Sequence, residues 1–146
     1  MRNRVNQWVQ EGAIYVWRYR NINRARKGWH FTSNPMGCRS IRNLLDRMQG
    51  GEACYRTLRL GSVTEEIWRV PNFGVPKKDR FCTLRIEFSP ECENLGLKAN
   101  DDRLVMTFGN KRLESLSAAF AAIENGDGDF GITTSDQKNA ETWMFW

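Results

Sequence analysis

The sequence predicts an α+β fold of one domain, with two main helices packed on a largely antiparallel sheet. Three observations predict it. Two segments carry apolar residues at helical spacing, several shorter ones alternate like strands, and the 146-residue chain matches itself at a constant offset of 75. In that match Trp29-His30-Phe31-Thr32 lies over Leu104-Val105-Met106-Thr107, and Ser40-Ile41 over Ser115-Leu116. Leu45 lies over Phe120, Met48 over Ile123, Gly51 over Gly126 and Tyr55 over Phe130, without a gap. Residues 29–57 and 104–132 therefore each read as strand, capped helix, glycine stop and strand. The identities among these pairs are Thr32/Thr107, Ser40/Ser115 and Gly51/Gly126. Shared apolar patterning is a commoner cause of such a match than true duplication.

The elements follow in order. Val5, Trp8 and Val9 share one face of a short helix within residues 2–10. Residues 13–20 are rich in β-branched and aromatic types and read as a strand. Residues 21–27 are a polar, basic connection to the strand at 29–32, so the pair is expected to form a hairpin with a basic tip. Asn34-Pro35 starts the first main helix: Asn34 can accept from exposed N–H groups, and Pro35 lacks the N–H that would be orphaned there. Ile41, Leu44, Leu45 and Met48 form its apolar stripe, and Gly50-Gly51 stops it. Residues 55–60, 64–70, 81–88 and 103–108 are expected strands. Leu84, Ile86 and Phe88 alternate with Arg85 and Glu87, the pattern of a half-buried strand. Residues 89–102 read as a polar connection. Asn110 is the expected cap of the second main helix, whose stripe is Leu113, Leu116, Phe120 and Ile123. Residues 130–133 and 142–146 are the last strands. The latter is apolar on both faces, which suits a central strand.

A chain this long can bury roughly 68–70% of its unfolded surface, so it needs neither metal nor disulfide to fold. No apolar run approaches the length of a membrane span. The first eight residues are basic but lack the apolar core of a secretory signal. Cys38, Cys54, Cys82 and Cys92 show no paired spacing, so reduced thiols in a cytoplasmic protein are expected. Residues 1–60 carry 12 basic and 3 acidic side chains, and residues 61–146 carry 10 and 14. The net charge of +5 is thus the balance of +9 and −4. Such segregation steers an anionic partner to one side, unless the two halves neutralise each other in the fold.

Candidate chemistry is sparse. His30 is the single histidine. It titrates near neutrality, but no nucleophile motif accompanies it, so a surface or packing role is favoured. Zinc-type spacing is absent. Residues 125–136 echo a calcium loop faintly, yet Phe130 stands where that loop requires glycine. No phosphate-cradling glycine motif occurs. Glu65-Glu66 and Glu91/Glu93 read as solvated charge. No catalytic residue, metal or cofactor is therefore expected. The strongest signal is the basic arm: Arg18, Arg20, Arg24, Arg26 and Lys27, flanked by Trp17, Tyr19 and Trp29. Guanidinium groups bind phosphates and aromatic faces stack bases. Arginine stems also cover apolar strand surface while their heads pair with carboxylates.

Three functions follow, in order of preference. The first is a small non-enzymatic protein that binds another protein, as inhibitors, immunity-type proteins and regulators do. The second is nucleic-acid binding through the arm at residues 18–27. The third is an enzyme outside recognised motifs. A homodimer through the aromatic strands is compatible with each.

Overall fold

The computed structural model describes residues 2–20 and 28–146. Residues 21–27, with Arg24, Arg26, Lys27 and the expected hairpin tip, lie outside them. The chain is α+β, with four helices and eight strands among the described residues. In order these are α1 (Arg2–Asn6), β1 (Ile14–Trp17), β2 (His30–Ser33), α2 (Pro35–Met48), β3 (Cys54–Arg59), α3 (Glu65–Trp68), β4 (Thr83–Phe88), β5 (Gly96–Asn100), β6 (Arg103–Phe108), α4 (Asn110–Glu124), β7 (Phe130–Thr133) and β8 (Thr142–Phe145). The strands form two four-stranded sheets, ordered β1-β2-β8-β7 and β3-β4-β6-β5. The largely antiparallel content is therefore divided between two sheets.

The two sheets have the same plan. In each, two antiparallel hairpins join through one parallel pair, β2 with β8 and β4 with β6. Matching β1-β2-α2-β3-β4 to β5-β6-α4-β7-β8 carries every pairing onto its counterpart. Each half sends its first hairpin to one sheet and its second to the other, and the long helix makes the crossing. The offset of 75 holds from β2 to β3 and from β6 to β7. Near the centre of the helix pair, Arg42 Nε donates to Ser117 Oγ at 3.5 Å. These two positions are equivalents under the offset, so the axis relating the halves passes close to them.

One apolar core links both sheets and the helices. Phe31, Ile41, Leu44, Leu45, Leu84, Ile86, Leu104, Met106, Leu116, Phe120 and Phe145 are all fully buried in it. Asn34 caps α2 as its position implies: Oδ1 accepts from Gly37 N at 2.8 Å, and also from Ala13 N at 3.0 Å. β8 is central, with Trp143 and Phe145 buried.

Four local expectations change. The first helix ends at Asn6, so Trp8 and Val9 lie beyond it, and Val9 is exposed rather than sharing the buried face of Val5. Residues 64–70 contain a turn of helix, α3, rather than a strand. Thr64 precedes it, Glu65 and Glu66 occupy the favourable first turn, and Pro71 follows. Residues 89–102 hold β5, an edge strand with three of its five residues exposed, so it lacks an apolar signature. Its tight turn into β6 places Asp101 at φ 55°. The residue preceding α4 is Gly109, not Asn110. A Cβ at Gly109 would collide with the carbonyls of Ser89 and Cys92. Asn110 Oδ1 instead accepts from Gly50 N at 3.0 Å, tying the start of α4 to the end of α2.

Asn34→Ala removes two hydrogen bonds that join α2 to the start of β1. A loss of about 1–2 kcal/mol in unfolding free energy is expected, measured by urea denaturation.

Candidate binding groove and the aromatic cage beside it

The two halves differ most in their loops. Residues 18–29 connect β1 to β2, whereas residues 101–102 make the equivalent turn from β5 to β6. Residues 60–82 connect β3 to β4, whereas residues 134–141 join β7 to β8. Both long loops belong to the first half, and they pack on each other. Tyr19 bridges to Pro76, Arg20 N donates to Val75 O at 3.4 Å, and Lys77 N donates to Arg18 O at 2.8 Å. Arg18 Nε donates to Asp79 Oδ2 at 2.7 Å, and the Tyr19 hydroxyl donates to Trp68 O at 2.9 Å.

Between these loops and the outer edge of β1 lies a groove of about 690 Å³. That volume falls within the usual range for ligand-sized pockets. Val16, Trp17, Leu60, Pro76 and Phe81 supply apolar wall, while Arg59, Lys77 and Arg80 bring positive charge. Asp79 also lines it, but its carboxylate is held by Arg18. Among the described residues no carboxylate forms an ion pair with Arg59, Lys77 or Arg80. The groove therefore presents three cations without internal counter-charge.

The expected neutralisation between the two charged regions is real but partial. Glu124 takes both Arg39 and Arg42, at 3.1 and 3.6 Å, and Asp79 takes Arg18. Arg18 also lies over the Trp29 ring, 4.8 Å from its centroid. Hydrogen bonding to Asp79 holds the Arg18 pKa up, against the smaller effect of burial. Arg18 is thus a structural clamp between the loops. Arg20 is exposed. Trp17 is 3% exposed and Tyr19 is fully buried, so neither offers a free ring face for stacking.

Both rings instead help to enclose His30. The imidazole is 1% exposed and stacks between Trp17 and Trp146, with centroids 5.8 and 6.1 Å away. Tyr19 and Phe73 meet it edge-on at 4.8 and 5.8 Å. Trp146 Nε1 donates to His30 Nδ1 at 3.0 Å. An accepting Nδ1 corresponds to the neutral ring with its proton on Nε2. Trp29 and Phe31 face the core on the opposite side of β2, so strand alternation places His30 as expected. The surrounding rings bury it.

Trp17 Nε1 is buried without an acceptor in hydrogen-bond geometry. It lies near enough to the Tyr19 hydroxyl to lower that group's pKa, but burial dominates and pushes Tyr19 up. Cys38 is buried and its thiol is likewise pushed up by burial, whereas Cys82 is exposed on the groove wall. Among the described residues no group of three or more His, Cys, Asp or Glu is placed to hold a metal, and no helix is long and apolar enough to cross a membrane.

Sequence reasoning missed Arg59, Lys77 and Arg80 as a group, since they lie on separate segments. The run Lys77-Lys78 in a proline-flanked loop was the available signal. No known protein family, curated protein or solved structure matches this chain.

Two outcomes are expected. His30→Ala empties the cage and strands the Trp146 donor, so a loss of about 2–4 kcal/mol should appear in urea denaturation. Tyr19 has a raised pKa in the folded state. Its contribution is complete below the ordinary tyrosine value of about 10 and is lost as pH rises through the folded value. Ultraviolet titration of tyrosinate should show Tyr19 ionising above the ordinary tyrosine value, together with alkaline loss of stability.

Proposed function

We propose that this chain is a non-enzymatic binding protein whose groove receives an acidic region of a protein partner. The observation that carries this reading is the departure from internal symmetry. The two loops that the second half lacks pack together, and they bring Lys77 and Arg80 beside Arg59 of β3, three cations without carboxylate partners among the described residues, against an apolar wall. Function concentrates on loops held by a rigid scaffold, because loops can change without disturbing the core.

Positive charge alone would suit nucleic acid equally well. The burial of Trp17 and Tyr19 favours protein, since single-stranded nucleic acid is bound through exposed aromatic faces. Mixed apolar and cationic lining is also the composition of a protein interface. The engagement of His30 Nδ1 by Trp146 is consistent with a non-catalytic role.

The test is capture of partners from the native cell by tagged protein, with and without nuclease, compared with Lys77→Glu/Arg80→Glu. A stoichiometric protein that survives nuclease and is captured roughly tenfold less by the double variant is the expected result. The variant's unfolding free energy should stay within about 0.5 kcal/mol of the parent's, because both side chains are exposed. Loss of every partner on nuclease treatment would transfer the function to nucleic acid and the basic arm.

A further inference from the structure

The groove is backed by an interruption in a strand edge. β1 is an edge strand, paired on one side with β2. Along such a strand, alternate residues point their N–H and C=O away from the partner. Ile14 does so, because its carbonyl accepts from Gly61 N at 2.9 Å. Arg18 and Arg20 do so as well, through Lys77 N and Val75 O. Val16 lies between them in the same alternation. Its N–H and C=O therefore point outward too, and no segment of the described chain pairs with them. Val16 is 3% exposed, and its side chain belongs to the core. What it presents to the groove is backbone. Trp17, which also lines the groove, keeps its buried Nε1–H without an acceptor.

A buried peptide group without a partner costs about 1–3 kcal/mol, so this position favours an occupant that supplies both a donor and an acceptor. A peptide does. The phosphates of a nucleic-acid backbone supply acceptors only, and would leave the Val16 carbonyl unmet. The surrounding charge selects the sign: Arg59, Lys77 and Arg80 call for carboxylates. The length is also constrained. Gly61 and Lys77 already occupy the edge opposite Ile14 and Arg18, four residues apart, or about 13 Å along the strand. A strand running through would have to displace one of them. A chain end need not.

We propose that Val16 pairs with the extended carboxyl-terminal end of an acidic peptide segment, whose terminal carboxylate lies among Arg59, Lys77 and Arg80. This rests on the groove being the partner interface, and it specifies what part of the partner enters. Recognition combines strand addition with capture of a terminal carboxylate.

The probe is N-acetylated Val-Glu-Val-Glu with a free C-terminus, titrated into the 15N-labelled full chain and followed by NMR. Two companions are the C-terminal amide and a form N-methylated at both inner residues. The expected result is slowing of Val16 amide exchange by roughly tenfold or more, with shifts at Lys77 and Arg80. Both companions should bind roughly tenfold more weakly. Binding that leaves Val16 exchange unchanged overturns the proposal. So do equal affinities for the three peptides, or no binding at millimolar concentration. In those cases loss of the native partner on Lys77→Glu/Arg80→Glu still supports the groove as interface. Native capture indifferent to that double variant removes the groove reading itself, and the pairing with it.

Discussion

The fold depends on two parallel seams. Among the described residues, β2–β8 and β4–β6 are the only strand pairs within the sheets that join one half of the chain to the other. Each half contributes one hairpin to each sheet, so neither half can complete a four-stranded sheet from its own residues. The helix pair α2 and α4 stands at the crossing, and its apolar stripes form the interior that both sheets share. Hydrophobic burial supplies the driving force, while the seams define which surfaces are buried together. The β2–β8 seam is short, with His30 opposite Met144 and Phe31 opposite Phe145. Side chains reinforce it. Phe31 and Phe145 stack at 4.6 Å, Thr32 Oγ1 donates to Trp146 O at 2.7 Å, and Trp146 N donates to Phe31 O at 2.9 Å. The His30 cage belongs to this lock.

A repeated architecture makes its own exceptions visible. If both halves needed only to close the core, short turns would serve in both, as residues 101–102 do in the second. The first half instead carries two long connections that brace each other through Arg18–Asp79 and the Tyr19–Pro76 bridge. These contacts hold the loops in place. Their product is the groove, and their charge is one-sided because Asp79 is already committed to Arg18.

Much of the fold was legible because the signals were local. Asn34-Pro35, the stripe at Ile41, Leu44, Leu45 and Met48, and the alternation at Leu84, Ile86 and Phe88 each specify an element within a few residues. The self-match at 75 was legible for the same reason, and it marks the part of each half where loop lengths agree. What stayed hidden was non-local. β5 carries Lys98, Ala99 and Asn100, whose exposure at an edge removes the apolar alternation that would reveal it. The division into two sheets depends on which hairpin meets which, and pairing partners leave no mark in the sequence of either. At the site, Arg18, Trp17 and Tyr19 stood out as a run of charge and rings. Folding gave them structural work: Arg18 clamps the loops, and the two rings enclose His30. Arg59, Lys77 and Arg80 assemble only when β3 and the 60–82 loop reach β1.

The remaining edges explain why the interruption at Val16 carries weight. Exposed strand edges invite unwanted pairing, and proteins blunt them with charge or cover. On β3 the Gln10 side chain takes both backbone groups of Arg59, donating to its carbonyl and accepting from its N–H, each at 2.8 Å. It acts there as a surrogate strand. β5 exposes Lys98 at its edge. β1 is covered by Gly61 at one end and by residues 75–77 at the other. The approach at Gly61 is close enough that a Cβ would collide with the Tyr15 ring. An edge so closely covered on either side of one residue is not left open by lack of available chain. Residues 62–74 pass between the two covering segments without pairing to Val16, and include α3 instead. Among the described residues Val16 is thus an interruption between two covered stretches of this edge, the position where the proposed peptide end would pair.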